Sequence, residues 1–345
     1  MADPDLAPVA AAWPELLPWQ HAAATEALRA RATWPHALLI AGPRGMGKRT
    51  LAVNFARGLL CESPRGDGLG CGACPSCRYV AAGQHPDLQL VEPFAVDDDG
   101  AVKVLDAIPV DRIRTLIDWA LLTGHRGRAK VAVVVPAEAL NAAAANALLK
   151  TLEEPPPGTY LILVAHQPGR VPATLRSRCR RFPAPMPEPA DALQWLAGQG
   201  IASPAAVLAQ AGGAPLLART LADPAWQQER GVFLSALAKP KALSPVALAA
   251  RVEAGPREER KERLALALDW IGAWTSDLAR VAAGGAPSRN PDFADALAAL
   301  ATSVAPVPLF RYHRSLLRQR ALVAHPLQPR LVAEAVLIAY RDLFR

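Results

Sequence analysis

Residues 36–60 read HALLIAGPRGMGKRTLAVNFARGLL, and this order constrains the fold more than any other stretch. A short apolar run ends in glycine, a glycine-rich loop follows, and a helix-like segment begins at once. An apolar run without polar alternation suits a parallel strand buried on both faces. The loop has the spacing G-x-x-x-x-G-K of a phosphate cradle, with Gly42, Gly45, Gly47 and Lys48 as its candidate residues. Glycines let backbone N–H groups approach phosphate oxygens, and the helix N-terminus adds partial positive charge. The residue after the lysine normally offers a hydroxyl to Mg²⁺. Here it is Arg49, and Thr50 comes one residue late, about 100° further round the helix. The loop alone leaves two readings open. It is a nucleotide site, or it is a glycine turn with no ligand.

The strand–loop–helix order continues. Further strands are expected at 85–93, 130–135 and 159–165, and helices at 19–33, 110–122 and 138–154. Residues 96–104 read as a turn between extended pieces. Pro155-Pro156-Pro157 stops the last of those helices. Strands alternating with helices make a parallel sheet covered on both faces. The alternation ends at PAPMPEP (183–189), which reads as a linker, and helices alone follow. A break near 223–229 separates a small helical unit from a larger one, and 284–292 reads as a loop within the latter.

The chain has 345 residues, 51% of them hydrophobic, which supports folded domains rather than disorder. No run approaches the roughly 20 apolar residues that span a membrane. The N-terminal stretch has acids and prolines where a secretory leader needs basic and apolar segments, so a cytoplasmic protein is expected. Net charge is +7, and residues 229–345 contribute +6 of it, with 17 Lys/Arg against 11 Asp/Glu. That balance fits nucleic acid or acidic partners and identifies neither.

Three other places carry chemistry. The strand KVAVVV (130–135) ends in Val135 and Pro136, where nucleotide-hydrolysing proteins place the acids that hold the metal shell and orient water. Glu138 lies beyond those positions. With Arg49, this removes two independent parts of a metal site, so no intrinsic ATPase and no productive ATP binding are expected. Cys61, Cys71, Cys74 and Cys77 have the spacing C-x9-C-x2-C-x2-C, with small turn-forming residues between them. Four thiolates in tight turns suit one tetrahedral, structural zinc ion. The alternative is four unrelated reduced thiols. Arg176, Arg178, Arg180 and Arg181 crowd one short stretch after the fourth strand. They read either as a solvated basic loop or as an arginine offered to a neighbour's phosphate. On the last helices, Arg311, Arg314 and Arg318 share a face, either solvated or in contact with DNA or a partner.

Taken together, these residues resemble the bacterial clamp-loader subunits of the AAA+ ATPases. Asn146–Pro155 (NALLKTLEEP), the Ser177-Arg178-Cys179 triplet, the cysteine module after the first helix, Trp19-Gln20, His85-Pro86-Asp87 and Ile113-Arg114 carry the resemblance. It covers residues 15–220 with motifs and continues to 345 only as a helical pattern. It implies an α/β AAA+ domain over 1–185 with a zinc-binding module at 61–77. A small helical lid over 186–226 and an all-α collar over 227–345 would follow. The family's machine is an open hetero-pentamer with delta and gamma/tau subunits, which places a sliding clamp on primer-template DNA within a polymerase holoenzyme. The resemblance makes Arg178 an arginine finger acting in trans. It also sets Leu216 where active subunits carry a sensing arginine. A member lacking metal, water and sensing residues would be the non-hydrolysing one. Two rival readings are an active gamma-type ATPase rescued by Thr50 or Glu138, and a stand-alone zinc protein that binds DNA.

Overall fold

The computed structural model describes residues 14–96, 102–126, 129–323 and 328–345. The chain divides into two compact units, one ending at Asp191 and one running from Ala192 to Arg345. The first contains, in order, α1 (His21–Arg29), β1 (Ala37–Ala41), α2 (Lys48–Leu60), α3 (Pro75–Ala81), β2 (Leu88–Val91), β3 (Phe94–Val96), β4 (Val102–Val104), α4 (Val110–Leu121), β5 (Lys130–Val134), α5 (Ala142–Glu153), β6 (Thr159–Ala165), α6 (Ala173–Arg176) and β7 (Arg180–Pro183).

Five of these strands form one sheet in the order β2-β5-β6-β1-β7, with every neighbouring pair parallel. The expected parallel sheet with helices on both faces is therefore present. Strand side chains alternate between faces, and the apolar runs feed two cores. Leu38, Ile40, Val131, Val133, Ile162 and Val164 pack with Leu51 and Phe55 of α2 on one face. Leu39, Ala132, Val134, Leu161 and Leu163 pack with Ile113, Leu148, Leu175 and Cys179 on the other. A parallel sheet covered in this way has no wet face, which is why its central strands show no polar alternation.

The structure departs from the sequence reading at several boundaries. The expected helix at 138–154 begins only at Ala142. Asn141 caps it by accepting a bond from the Ala144 N–H at 2.8 Å, and a separate single turn covers Ala137–Ala139. The strand expected at 85–93 is confined to β2. Arg180 and Arg181, read as part of a basic loop, lie instead on β7, an edge strand paired with β1 on one side only. A short, arginine-bearing edge carries none of the apolar signal of a central strand. β3 and β4 pair antiparallel. Residues 97–101 of the expected turn, and the N-terminal residues 1–13, lie outside the described residues.

The second unit is helical throughout. It comprises α7 (Pro189–Gly198, entered from the first unit), α8 (Pro204–Gln210), α9 (Pro215–Leu221), α10 (Pro224–Leu237), α11 (Pro245–Glu253), α12 (Arg260–Ala282), α13 (Ala294–Ala301), α14 (Pro306–Leu322) and α15 (Pro329–Asp342). Two separate apolar clusters hold it. Leu196, Val207, Leu208 and Leu221 build the smaller one. The larger surrounds α12, where Trp274 Nε1 donates to Tyr340 Oη at 2.8 Å in a fully buried contact. The loop read at 284–292 is pinned by buried Asp277, whose carboxylate accepts the backbone N–H groups of Ser288, Arg289 and Asn290 at 2.7–2.9 Å. Among the described residues no helix is long and apolar enough to cross a membrane.

Candidate functional site

The glycine loop joins β1 to α2 as a phosphate cradle would. Gly45 and Gly47 have φ of 83° and 78°, the left-handed region that a side chain disfavours. Its groups are already engaged within the chain. Gln20 Nε2 donates to the carbonyls of Met46 (3.1 Å) and Gly47 (2.7 Å), and Trp19 Nε1 donates to Met46 at 3.2 Å. The Trp19-Gln20 pair thus braces the loop from the segment before α1. A Cβ on Gly47 would stand 2.2 Å from Leu17 Cδ1, so the residue is hemmed in as well as strained. Lys48 is fully buried and its ammonium donates to the Pro43 carbonyl.

Arg49 does more than omit a hydroxyl. Its guanidinium makes a two-pronged pair with Glu92, Nε to Oε1 at 2.8 Å and Nη2 to Oε2 at 3.0 Å. Both side chains are buried, at 10% and 4% exposure. Glu92 follows β2 directly, and Arg112 Nη1 donates to its carbonyl at 2.8 Å. Nothing in the local sequence around either residue signals this pairing across 43 residues. Val135 is completely buried at the end of β5. Glu138 accepts the backbone N–H groups of His166 and Gln167, both at 2.9 Å, at the end of β6. Leu216 is buried in α9. Gly42, Gly45, Gly47 and Lys48 therefore form the expected loop, with its Met46 and Gly47 carbonyls and the Lys48 ammonium bonded within the chain.

At the other end of α2 the four cysteines come together. Cys61 is the C-cap of that helix and Cys74 is the N-cap of α3, where Pro75 takes the first helical position. Their Sγ atoms, with those of Cys71 and Cys77, all lie within 4.8 Å of one another. Cys61 and Cys74 are 3.8 Å apart, and Cys71 and Cys77 are 4.0 Å apart. A tetrahedron with metal–sulfur bonds of about 2.3 Å has edges of about 3.8 Å. Backbone N–H groups are aimed at sulfur around the knuckle: Cys71 to Cys61 and Cys74 to Cys71 at 3.3 Å, and Cys77 to Cys74 at 3.4 Å. The N–H groups of Cys74 and Ala73 lower the Cys71 thiol to about 6, whereas burial pushes Cys61 up to about 12. The four sulfurs are close enough to hold one metal ion, which would displace the protons that remain. Glu62 ties the knuckle to the turn between α4 and β5, accepting from Ser76 Oγ at 2.8 Å and Arg126 Nε at 3.0 Å.

Arg178 sits on the turn between α6 and β7. Leu175 and Cys179 are buried and anchor that turn, while Arg178 remains about a third exposed. Its Nη1 donates to Thr174 O at 3.0 Å and Ser177 Oγ at 3.4 Å, and its Nε to Glu153 Oε1 at 2.6 Å. Cys179 lies in the core, and burial pushes its thiol up to about 12. On α14, Arg311, Arg314 and Arg318 are exposed.

Comparison with known proteins places these features. A family model described as "DNA polymerase III, delta subunit" matches residues 22–186. The chain is similar to subunit delta' of DNA polymerase III from Pseudomonas aeruginosa, 38% identical over 272 residues, covering 77% of this chain and 78% of that one. The delta' subunit of Escherichia coli is 42% identical over 175 residues, or 50% of this chain and 49% of that one. Among solved structures, a gamma subunit-related protein from Thermotoga maritima covers 94% of this chain at 17% identity and a TM-score of 0.42.

Proposed function

The chain belongs to the delta' subunit family of DNA polymerase III, and from that premise we propose that this clamp-loader subunit works without hydrolysing ATP itself, lending Arg178 to the nucleotide of a neighbour. One observation carries the first half. The buried Arg49–Glu92 pair stands where a metal-binding hydroxyl is needed. A guanidinium committed to Glu92 has no lone pair to offer a dication, and Val135 and Pro136 supply no acid to receive it.

The second half rests on the Ser177-Arg178-Cys179 turn. Its guanidinium is held at the surface by a core-anchored turn, which suits donation to a phosphate across a subunit boundary. In this reading delta and gamma/tau subunits are the partners in a hetero-pentamer. The sliding clamp and primer-template DNA are engaged through that cytoplasmic complex. Residues 186–226 serve as a lid and 227–345 as a collar, each with its own apolar cluster. Zinc is the ion of the four-cysteine knuckle, where it closes the structure and takes no part in chemistry.

The test replaces Arg178 by Ala in a reconstituted complex. Assembly stays normal, while clamp- and DNA-stimulated ATP hydrolysis falls by about 10³- to 10⁵-fold, the range seen for trans arginines. Arg178→Lys recovers little, because an ammonium lacks the planar fork. Undiminished hydrolysis with Arg178→Ala refutes the trans role. Hydrolysis by the purified chain alone, at the rate of an active subunit, refutes the first half.

A further inference from the structure

Four arginines crowd residues 176–181, and the structure separates one from the rest. Among the described residues, Arg176, Arg180 and Arg181 make no side-chain hydrogen bond or ion pair, whereas Arg178 makes three hydrogen bonds and an ion pair. Two of those bonds are local, to Thr174 O and Ser177 Oγ. The ion pair reaches 25 residues back to Glu153, whose Oε1 accepts from both Nε and Nη2. Glu153 is the last residue of α5.

This contact is set by the core. Leu148 and Leu152 anchor the end of α5, and Leu175 and Cys179 anchor the turn. All four belong to one apolar cluster, so the carboxylate and the guanidinium are carried on supports fixed relative to each other. The guanidinium has five N–H donors. Nε and both Nη1 donors are committed, and one Nη2 donor is shared with the carboxylate. The plane is fixed, one Nη2 donor is left over, and the side chain remains about a third exposed.

We infer that Glu153 is a positioning residue for Arg178, holding its guanidinium in one orientation at the surface turn before a neighbouring phosphate arrives. The inference rests on the trans-arginine reading above. An unrestrained arginine must lose its rotamer freedom at the moment of contact, and one already oriented has lost it in advance. The same carboxylate does not lock the arginine away. An exposed ion pair is weak and screened, whereas a multiply charged phosphate in a closed interface attracts far more strongly. Glu153 therefore yields or shares its donors once the phosphate docks.

The test uses the reconstituted complex with Glu153→Ala, Glu153→Gln, Arg178→Ala, and Arg178→Ala combined with Glu153→Ala. Glu153→Ala lowers kcat for stimulated ATP hydrolysis by about three- to tenfold, the scale of immobilising one rotamer-rich side chain at an interface, and leaves KM for ATP unchanged. Glu153→Gln, which keeps an acceptor oxygen, gives an intermediate loss and carries the test if the alanine variant fails to assemble. In the Arg178→Ala background, Glu153→Ala adds no further loss. A kcat unchanged or raised by both Glu153 variants, with Arg178→Ala inactive, overturns the positioning role and spares the trans-arginine reading. An equal loss in the Arg178→Ala background also overturns it, since Glu153 would then act through the fold at large. Full activity of Arg178→Ala removes the trans-arginine reading and this inference with it.

Discussion

Helix α2 begins at one ligand motif and ends at another, and the two have met opposite fates. Its N-terminus carries a phosphate loop with the right glycines and lysine, braced from behind by Gln20 and Trp19 on its carbonyls and followed by Arg49, which pairs with Glu92. Its C-terminus leads to Cys61, the first of four sulfurs spaced for one ion. Any helix N-terminus presents orphan N–H groups and a partial positive charge, so an anion site arises there without being built. Four converging thiols have no such generic origin. They must be placed, and backbone N–H groups here are aimed at them. At the loop the chain's own side chains brace the carbonyls and Arg49 takes the place of a hydroxyl, whereas at the knuckle the sulfurs themselves converge.

The knuckle is where a single substitution should cost the chain most. Cys77→Ser should abolish stoichiometric metal, one zinc per chain by elemental analysis falling below half. The thermal transition of the first unit should fall steeply, since structural zinc contributes about 10 kcal/mol or more in small modules. Thiol titration after chelation sharpens this. Loss of the metal opens the knuckle and exposes Cys61, Cys71, Cys74 and Cys77, whereas Cys179 stays slow because it is packed in the core of the sheet. Retained metal in Cys77→Ser, or five thiols reacting alike, would contradict a built site.

At the phosphate loop the corresponding break is Glu92→Ala. It leaves the Arg49 guanidinium buried without its carboxylate, a loss of about 3–5 kcal/mol in urea unfolding. Replacing both partners with apolar residues, Arg49→Met with Glu92→Leu, recovers most of it, because a buried pair repays its desolvation poorly. Mg²⁺-ATP should not shift the melting of the wild-type chain, since a ligand stabilises only what it binds. A loss below about 1 kcal/mol in Glu92→Ala would mean that the pair is a surface contact after all.

Much of this was legible in the sequence, and the illegible part has one physical cause. The central strands announced themselves because burial on both faces demands unbroken apolar runs, as in ALLIA and TYLILVA. The cysteines announced themselves because metal geometry fixes local spacing. The losses at 49, 135 and 136 could be read as absences. What replaced them could not. Glu92 pairs with Arg49 and Glu153 with Arg178 across long sequence separations, and both acids look like ordinary surface residues in their own neighbourhoods. β7 was missed because an edge strand needs little apolar sequence, and the start of α5 because Asn141 as a cap resembles another polar residue in an alanine run. Local chemistry leaves a pattern in the chain, whereas pairing across the fold does not.

The smallest break tests the brace on the loop. Gln20→Ala removes the donor to the Met46 and Gly47 carbonyls, but neither is left bare. Met46 keeps Trp19 Nε1, and Gly47 keeps the helical N–H of Leu51 at 3.0 Å. The cost should thus sit near about 1 kcal/mol, below that of an unsatisfied buried carbonyl. Gln20→Glu should cost more than Gln20→Ala, although it is closer in shape. A carboxylate donates nothing, and in this fully buried position it would face two carbonyl oxygens at the distances Nε2 now holds, 2.7 and 3.1 Å. Urea unfolding of the two variants separates a hydrogen-bonding brace from mere space filling. If Glu is tolerated as well as wild-type Gln, the donor is not what holds the loop, and the phosphate cradle is less firmly closed than Arg49 and Glu92 make it.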